Sequence, residues 1–148
     1  MANTLRISEG ASLALHSMVL LASRPHQPLS TREVAATLAI SEAHLAKVFQ
    51  RLAKAGLVTS TRGPRGGFAL GRAPQAISLL EVYETIDGPV GASDCLLGEP
   101  VCRGHGCILG NLVKSVNDQM RNYLTATRLS DVTAFHTANV ESPGAPAQ

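Results

Sequence analysis

Cys95, Cys102 and Cys107 fall within thirteen residues, and the 148-residue chain has no other cysteine. Thiolates are soft ligands suited to iron–sulfur clusters and zinc. Three of them can hold three corners of a cubic iron–sulfur cluster, leaving one iron for a weaker ligand. The stretch also carries Gly98, Gly104, Gly106 and Gly110. These permit the tight backbone path that wraps a cluster, and Arg103 adds positive charge beside anionic sulfur. His105, between Cys102 and Cys107, would instead complete a zinc site of three cysteines and one histidine. Structural zinc sites usually carry tight cysteine pairs, and this stretch has none. Spacing therefore leaves three chemistries open: an iron–sulfur cluster, zinc, or metal-free redox thiols. An odd cysteine count fits these better than a secreted disulfide framework. Cys102 near His105 is the one pair that suggests a nucleophile with its base. No recognisable pocket sequence accompanies it, so an enzyme is not expected.

A second chemistry lies upstream. Residues 1–75 carry nine Lys/Arg against three Asp/Glu, and residues 76–148 carry four against eight. A basic half joined to an acidic half points the first at a polyanion. Ser30, with Glu33 three residues on, is a capping box, and Leu29 with Val34 a hydrophobic staple, so a helix starts there and ends near Leu38-Ala39. Ser41 caps the next, which runs to about Lys54 with Gly56 as its stop. Its inward face is Leu45, Val48, Phe49 and Leu52. Two short helices, the second basic outside, make a helix-turn-helix pattern. The β-rich Leu57–Thr61, the turn Arg62-Gly63-Pro64-Arg65-Gly66-Gly67 and the strand Phe68-Ala69-Leu70 then read as a basic wing. Its glycines would let the backbone approach a groove, and Arg62 and Arg65 would reach phosphates or a narrow minor groove. Ser41, Ala43, His44 and Lys47 are predicted to enter the major groove of duplex DNA. Arg51 and Lys54 are predicted to hold phosphates, which fixes register without reading sequence.

The remaining elements frame these two. Leu5 to Ser23 is a helical pattern with Leu13, Ala14, Ser17, Leu20 and Leu21 as a buried stripe. Ser78 and Glu81 form a second capping box, with Ile77 and Val82 as its staple, opening a helix from Leu79 to Ile86 that Asp87-Gly88-Pro89 ends. From Ile108 to about Thr127 a long helix carries Ile108, Leu112, Val113, Val116, Met120, Tyr123 and Leu124 along one side. So long an apolar stripe after a completed small domain predicts a homodimer, with packing onto the chain's own first helix as the alternative. The expected fold is mainly α with a small β-wing. Residues 1–75 form the DNA-binding domain, 76–135 the cysteine loop and dimerisation helix, and 136–148 a disordered tail. No apolar run is long enough to span a bilayer and no basic segment opens a secretory signal, so the expected location is the cytoplasm.

Four stretches together resemble the IscR/NsrR type of winged-helix regulator. They are Ile40-Ser41-Glu42-Ala43-His44-Leu45, Leu52-Ala53-Lys54-Ala55-Gly56-Leu57-Val58, Arg62-Gly63-Pro64-Arg65-Gly66-Gly67-Phe68, and the three cysteines before a long helix. The resemblance covers roughly Leu5 to Thr127. It implies a dimeric transcription factor whose cysteine loop binds an iron–sulfur cluster, of four-iron or two-iron type, and senses iron, redox state or nitric oxide. Some members lack the cysteines and bind no cluster. In many cluster-binding members the two gaps between cysteines are equal, whereas here they hold six and four residues. One branch takes its fourth ligand from a histidine three residues past the last cysteine, a position held here by Gly110. Others take it from the partner's first helix, at positions matching Ser12 and His16. The fourth-ligand candidates are thus His16, across a dimer, and His105 within the loop.

Overall fold

The computed structural model describes residues 6–91, 93–97, 99, 101–102 and 106–134. His105, Arg103, Gly98, Gly104 and the predicted tail lie outside the described residues. In order come α1 (Glu9–Ala22), α2 (Thr31–Leu38), α3 (Glu42–Lys54), β1 (Val58–Thr61), β2 (Gly67–Leu70), a 3-10 turn at Pro74–Ala76, α4 (Leu79–Asp87), α5 (Leu112–Ala126) and α6 (Leu129–Val132). The architecture is the predicted one, mostly helical with one two-stranded antiparallel wing.

α1 is the central post. It packs on α2, α3, α4, α6 and β2, and Ala11, Leu13, Ala14, Met18, Leu20 and Leu21 are all buried along it. Its start is later than the apolar pattern suggests, because Ser8 accepts a bond from the Ala11 N–H at 3.0 Å and so caps the helix there. Both predicted capping boxes are present. Ser30 accepts from the Glu33 N–H at 3.1 Å while Glu33 accepts from the Ser30 N–H at 2.7 Å. Ser78 and Glu81 repeat the arrangement at 3.2 and 3.1 Å.

The turn between α2 and α3 is set by backbone geometry. Ala39 takes a left-handed conformation (φ 55°), and the Ile40 N–H reaches back to the Ala35 carbonyl at 3.0 Å. This satisfies carbonyls that the helix end would otherwise leave bare. Leu45, Val48, Phe49 and Leu52, the predicted inward face of α3, are all buried. The Phe49 ring stacks on Phe68 of β2, with centroids 4.3 Å apart and planes 5° from parallel, and so ties the wing to α3.

Three features were not visible in the sequence pattern. Leu29 pairs with Phe68 like a one-residue third strand, through bonds of 3.0 and 2.7 Å. The start of α4 is bonded to the α5–α6 junction, Leu79 N–H to Thr127 and Leu129 N–H to Ile77, each at 3.0 Å. The third is α6, a single turn whose Leu129 is fully buried. The long helix also starts at Leu112, not Ile108, because residues 108–111 form turns. α5 packs on α4. Of its stripe only Leu124 is buried, while Leu112 and Tyr123 are 56% and 61% exposed. Among the described residues, no helix is long and apolar enough to cross a membrane.

Candidate nucleic-acid interface and thiol loop

The outward face of α3 follows from its 3.6-residue period. With Leu45, Val48, Phe49 and Leu52 inward, Ala43, Lys47, Gln50 and Lys54 stand opposite, and all four are exposed. Ser41 serves as N-cap, accepting from the His44 N–H at 3.3 Å. Lys47 and Lys54 make no side-chain bond or ion pair among the described residues. Gln50 belongs on this face too, though its side chain is uncharged and no basic pattern marks it. Its amide has the donor and acceptor that a base edge requires.

Two of the predicted contact residues lie on the flank of α3 instead. His44 is half-buried, its Nδ1 4.0 Å from a Glu9 carboxylate oxygen at the start of α1. Arg51 turns toward α4, and its guanidinium donates to the carbonyls of Thr85 and Ile86 at 2.9 and 2.8 Å.

On the wing, Thr61 pairs with Gly67, leaving residues 62–66 as the tip. Arg62 and Arg65 are exposed and make no side-chain bond or ion pair among the described residues. Arg72, at the far end of the wing, differs, because it is held by Glu81 at 2.7 Å. The glycines have separate causes. Gly63 holds a positive φ of 111° with open space around it. A Cβ on Gly66 would lie 2.1 Å from the Thr61 carbonyl, and one on Gly67 2.5 Å from the Leu29 backbone. Those two glycines are required by the wing's own closure, apart from any approach to a groove.

The three cysteines are free, Cys95 half-buried and the others exposed. All three line one hollow of about 140 Å³ with Leu96, Leu97, Val101 and Ile108 in its walls. These four apolar side chains are 51–95% exposed, so the rim is open to solvent. The thiols share the hollow without converging. Among the described residues no three His, Cys, Asp or Glu side chains stand close enough to hold an ion. Locally, Cys95 is shaped by Ser93, whose hydroxyl accepts from the Cys95 N–H and donates to the Cys95 carbonyl, both at 3.1 Å. The Cys107 sulfur accepts from the Leu109 N–H at 3.4 Å.

The start of the loop is fastened to α5. Asn117 donates to the Ser93 carbonyl at 3.2 Å, and Arg121 donates to the Val90 carbonyl. Between them Gly91 has φ 66°, and a Cβ there would meet Arg121 at 2.9 Å and Asn117 at 3.0 Å. Val90 itself is buried.

His16 is exposed on α1 and does not line the thiol hollow. Its Nδ1 lies 2.7 Å from the Ser12 carbonyl. A carbonyl only accepts, so Nδ1 is the donor in this contact, which leaves Nε2 outside it.

The chain matches the family described as "Rrf2: Iron-dependent Transcriptional regulator" over residues 7–134. It is 30% identical over 129 residues to the HTH-type transcriptional regulator IscR of Erwinia tasmaniensis, covering 86% of this chain and 78% of that one. Its fold matches CymR, the global cysteine regulator of B. subtilis, with a TM-score of 0.74 and 28% identity, covering 91% of this chain and 98% of that one. It also matches IscR of T. potens, with a TM-score of 0.71 and 22% identity, covering 95% of each. The chain belongs to the Rrf2 family of transcriptional regulators; it is a DNA-binding winged-helix protein and not an enzyme.

Proposed function

We propose that this Rrf2-family regulator binds an operator duplex as a homodimer, and that an iron–sulfur cluster on Cys95, Cys102 and Cys107 sets its affinity. The observation that carries the reading is that three free thiols line one apolar-walled hollow in a chain whose α3 and wing bear exposed cations. Soft thiolate donors fit such a cluster, and the loop would have to draw in around the hollow to bring them together. When bound, the cluster would supply an iron open to redox change or to a small molecule. The weak fourth ligand would be the exposed His16 of a second copy, or His105 within the loop.

The same reading assigns the DNA side. Ser41, Ala43, Lys47 and the added Gln50 would face the major groove, with His44 reaching it from the flank of α3. Lys54 would hold phosphate, and Arg62 and Arg65 would serve the wing. Arg51 already holds α4, so its phosphate contact would come from the donors that Thr85 and Ile86 leave unused. The half-exposed stripe of α5 is where a second copy would pack. The protein would work in the cytoplasm.

A second reading has its own support. The fold neighbour CymR is described as a cysteine regulator, and exposed free thiols suit a metal-free redox loop. Iron, sulfide and zinc analysis with visible spectra after anaerobic preparation separates the two. Iron and sulfide in stoichiometric amounts are expected, lost when any one cysteine becomes Ala. Because the thiols lie outside the core, those variants should keep the wild-type stability to within about 1 kcal/mol. A colourless protein holding zinc, or no metal at all, would sink the cluster reading.

A further inference from the structure

The last turn of α4 ends in carbonyls that have no partner within the helix, and that turn has no basic residue of its own. Arg51 of α3 supplies the missing cation from outside, donating to the Thr85 and Ile86 carbonyls of that turn. The next residue, Asp87, accepts from the Ser8 N–H at 3.0 Å and from the Ser8 hydroxyl, which joins the same turn to the start of α1. Three residues further on, the Val90 N–H donates to Glu84 at 3.3 Å, and the Val90 carbonyl accepts from Arg121 of α5. Ser93, which shapes Cys95, is held by Asn117 of that same helix.

We infer that Arg51 is a positioning residue that couples the thiol loop to the recognition helix through the C-terminal turn of α4. The inference rests on the reading that loop state governs operator affinity, and it names the route. From Cys95 to Arg51 every step is a hydrogen bond or a peptide link: Ser93 to Asn117, α5 to Val90, Val90 to α4, and α4 to α3. A loop that tightens or opens pulls on Val90 through α5, because Asn117 holds Ser93 and Arg121 holds Val90 on that one helix. Val90 is buried and cannot give way into solvent, so the pull reaches the α4 turn. Arg51 grips two successive carbonyls of that turn and passes the displacement to α3. Leu52, next in sequence, is fully buried and makes α3 move as one body with its outward face.

The test uses the full chain and a duplex selected from random sequence by the wild-type protein. Operator affinity is measured for protein with iron and sulfide reconstituted on the loop and for protein with free thiols. Wild type should show a ratio of roughly tenfold or more, within the usual range of allosteric coupling. Arg51→Met keeps the aliphatic stem and removes the donors; its ratio should fall to within about twofold of unity while thermal unfolding stays cooperative. Arg51→Lys returns one cation and should restore part of the ratio. A folded Arg51→Met protein with the wild-type ratio overturns the inference. A wild-type ratio of one overturns the parent reading instead, which keeps the two failures distinct. If Arg51→Met does not fold, hydrogen exchange on the unaltered protein decides. Operator binding must then change protection at the amides of Gly88 and Val90, and unchanged protection there overturns the coupling route.

Discussion

The wing arginines offer the sharpest numerical expectation. Each phosphate that a protein neutralises releases counterion, so log K falls with log salt by about 0.9 per contact on duplex DNA. Lys47, Lys54, Arg62 and Arg65 are exposed and make no intramolecular side-chain partnership among the described residues. A dimer using all of them makes about eight contacts, a slope near −7, and loses roughly 10⁴-fold in affinity between 50 and 200 mM salt. The double variant Arg62→Ala/Arg65→Ala removes about four contacts, so its slope should flatten to about −3.6 and its loss over that range to roughly 150-fold. A monomer would show half the change, so the size of the effect also reports stoichiometry. Arg72→Ala is the control, because Arg72 is already paired with Glu81 and its removal should leave the slope unaltered. Fluorescence anisotropy on a labelled duplex across a salt series measures all three. Equal slopes for wild type and the double variant would remove the wing from the DNA interface. Equal flattening in the control would show that overall charge matters and placement does not.

Other expectations concern the scaffold. Gly67→Ala forces a Cβ against the Leu29 backbone, costing the two Leu29–Phe68 bonds plus steric strain, roughly 2–5 kcal/mol. Gly63→Ala meets open space and only conformational strain, about 1–2 kcal/mol. Urea unfolding compares them, and equal losses would contradict the packing argument. Burial raises the Glu81 pKa, but the Arg72 bond and the Ser78 N–H outweigh it and leave it below the ordinary 4.5. A folded pKa below the unfolded one adds stability above about pH 4.5 that is lost as pH falls through the folded value. Glu81→Gln should therefore lower stability at neutral pH and converge on wild type in acid. Melting curves that stay parallel from pH 7 to pH 3 would dismiss this role.

What the sequence made legible was local. Caps at Ser30, Ser41 and Ser78 announce themselves through hydroxyls and carboxylates a few residues apart. The inward face of α3 is legible because burial repeats with the helix period. The wing is legible because turn residues interrupt a β-rich run. The Leu29–Phe68 pairing and the bonds from α4 to the α5–α6 junction join backbone groups far apart in sequence, and no side-chain pattern marks them. Arg51 is the instructive case. It reads as one of several cations on a basic helix, and nothing nearby in sequence says that the α4 terminus needs it. Ile108 misled for the opposite reason. It fits the apolar stripe of α5, but Gly110 at φ 56° and the turns around it break the helix before Leu112.

The physical division within the chain follows from where apolar area was spent. The reader is built around α1 with its core closed, and Phe49 and Phe68 stacked between helix and wing. That body can hold Lys47, Gln50 and the wing arginines at fixed spacing. The thiol loop contributes Leu96, Leu97, Val101 and Ile108 to no core, and each is more than half exposed. A segment with so few buried contacts opens and rearranges at low cost, so it can respond to chemistry at its thiols without unfolding the reader. A response matters only if the joint between the two parts is stiffer than the loop itself. At the joint Val90 is buried, and Arg121 and Asn117 of α5 hold the Val90 and Ser93 carbonyls, contacts of a kind that Leu96, Leu97, Val101 and Ile108 lack among the described residues. A loop with few buried contacts, joined through Val90 to a helix end held by α3, is the arrangement that the proposed control of DNA binding by thiol chemistry requires.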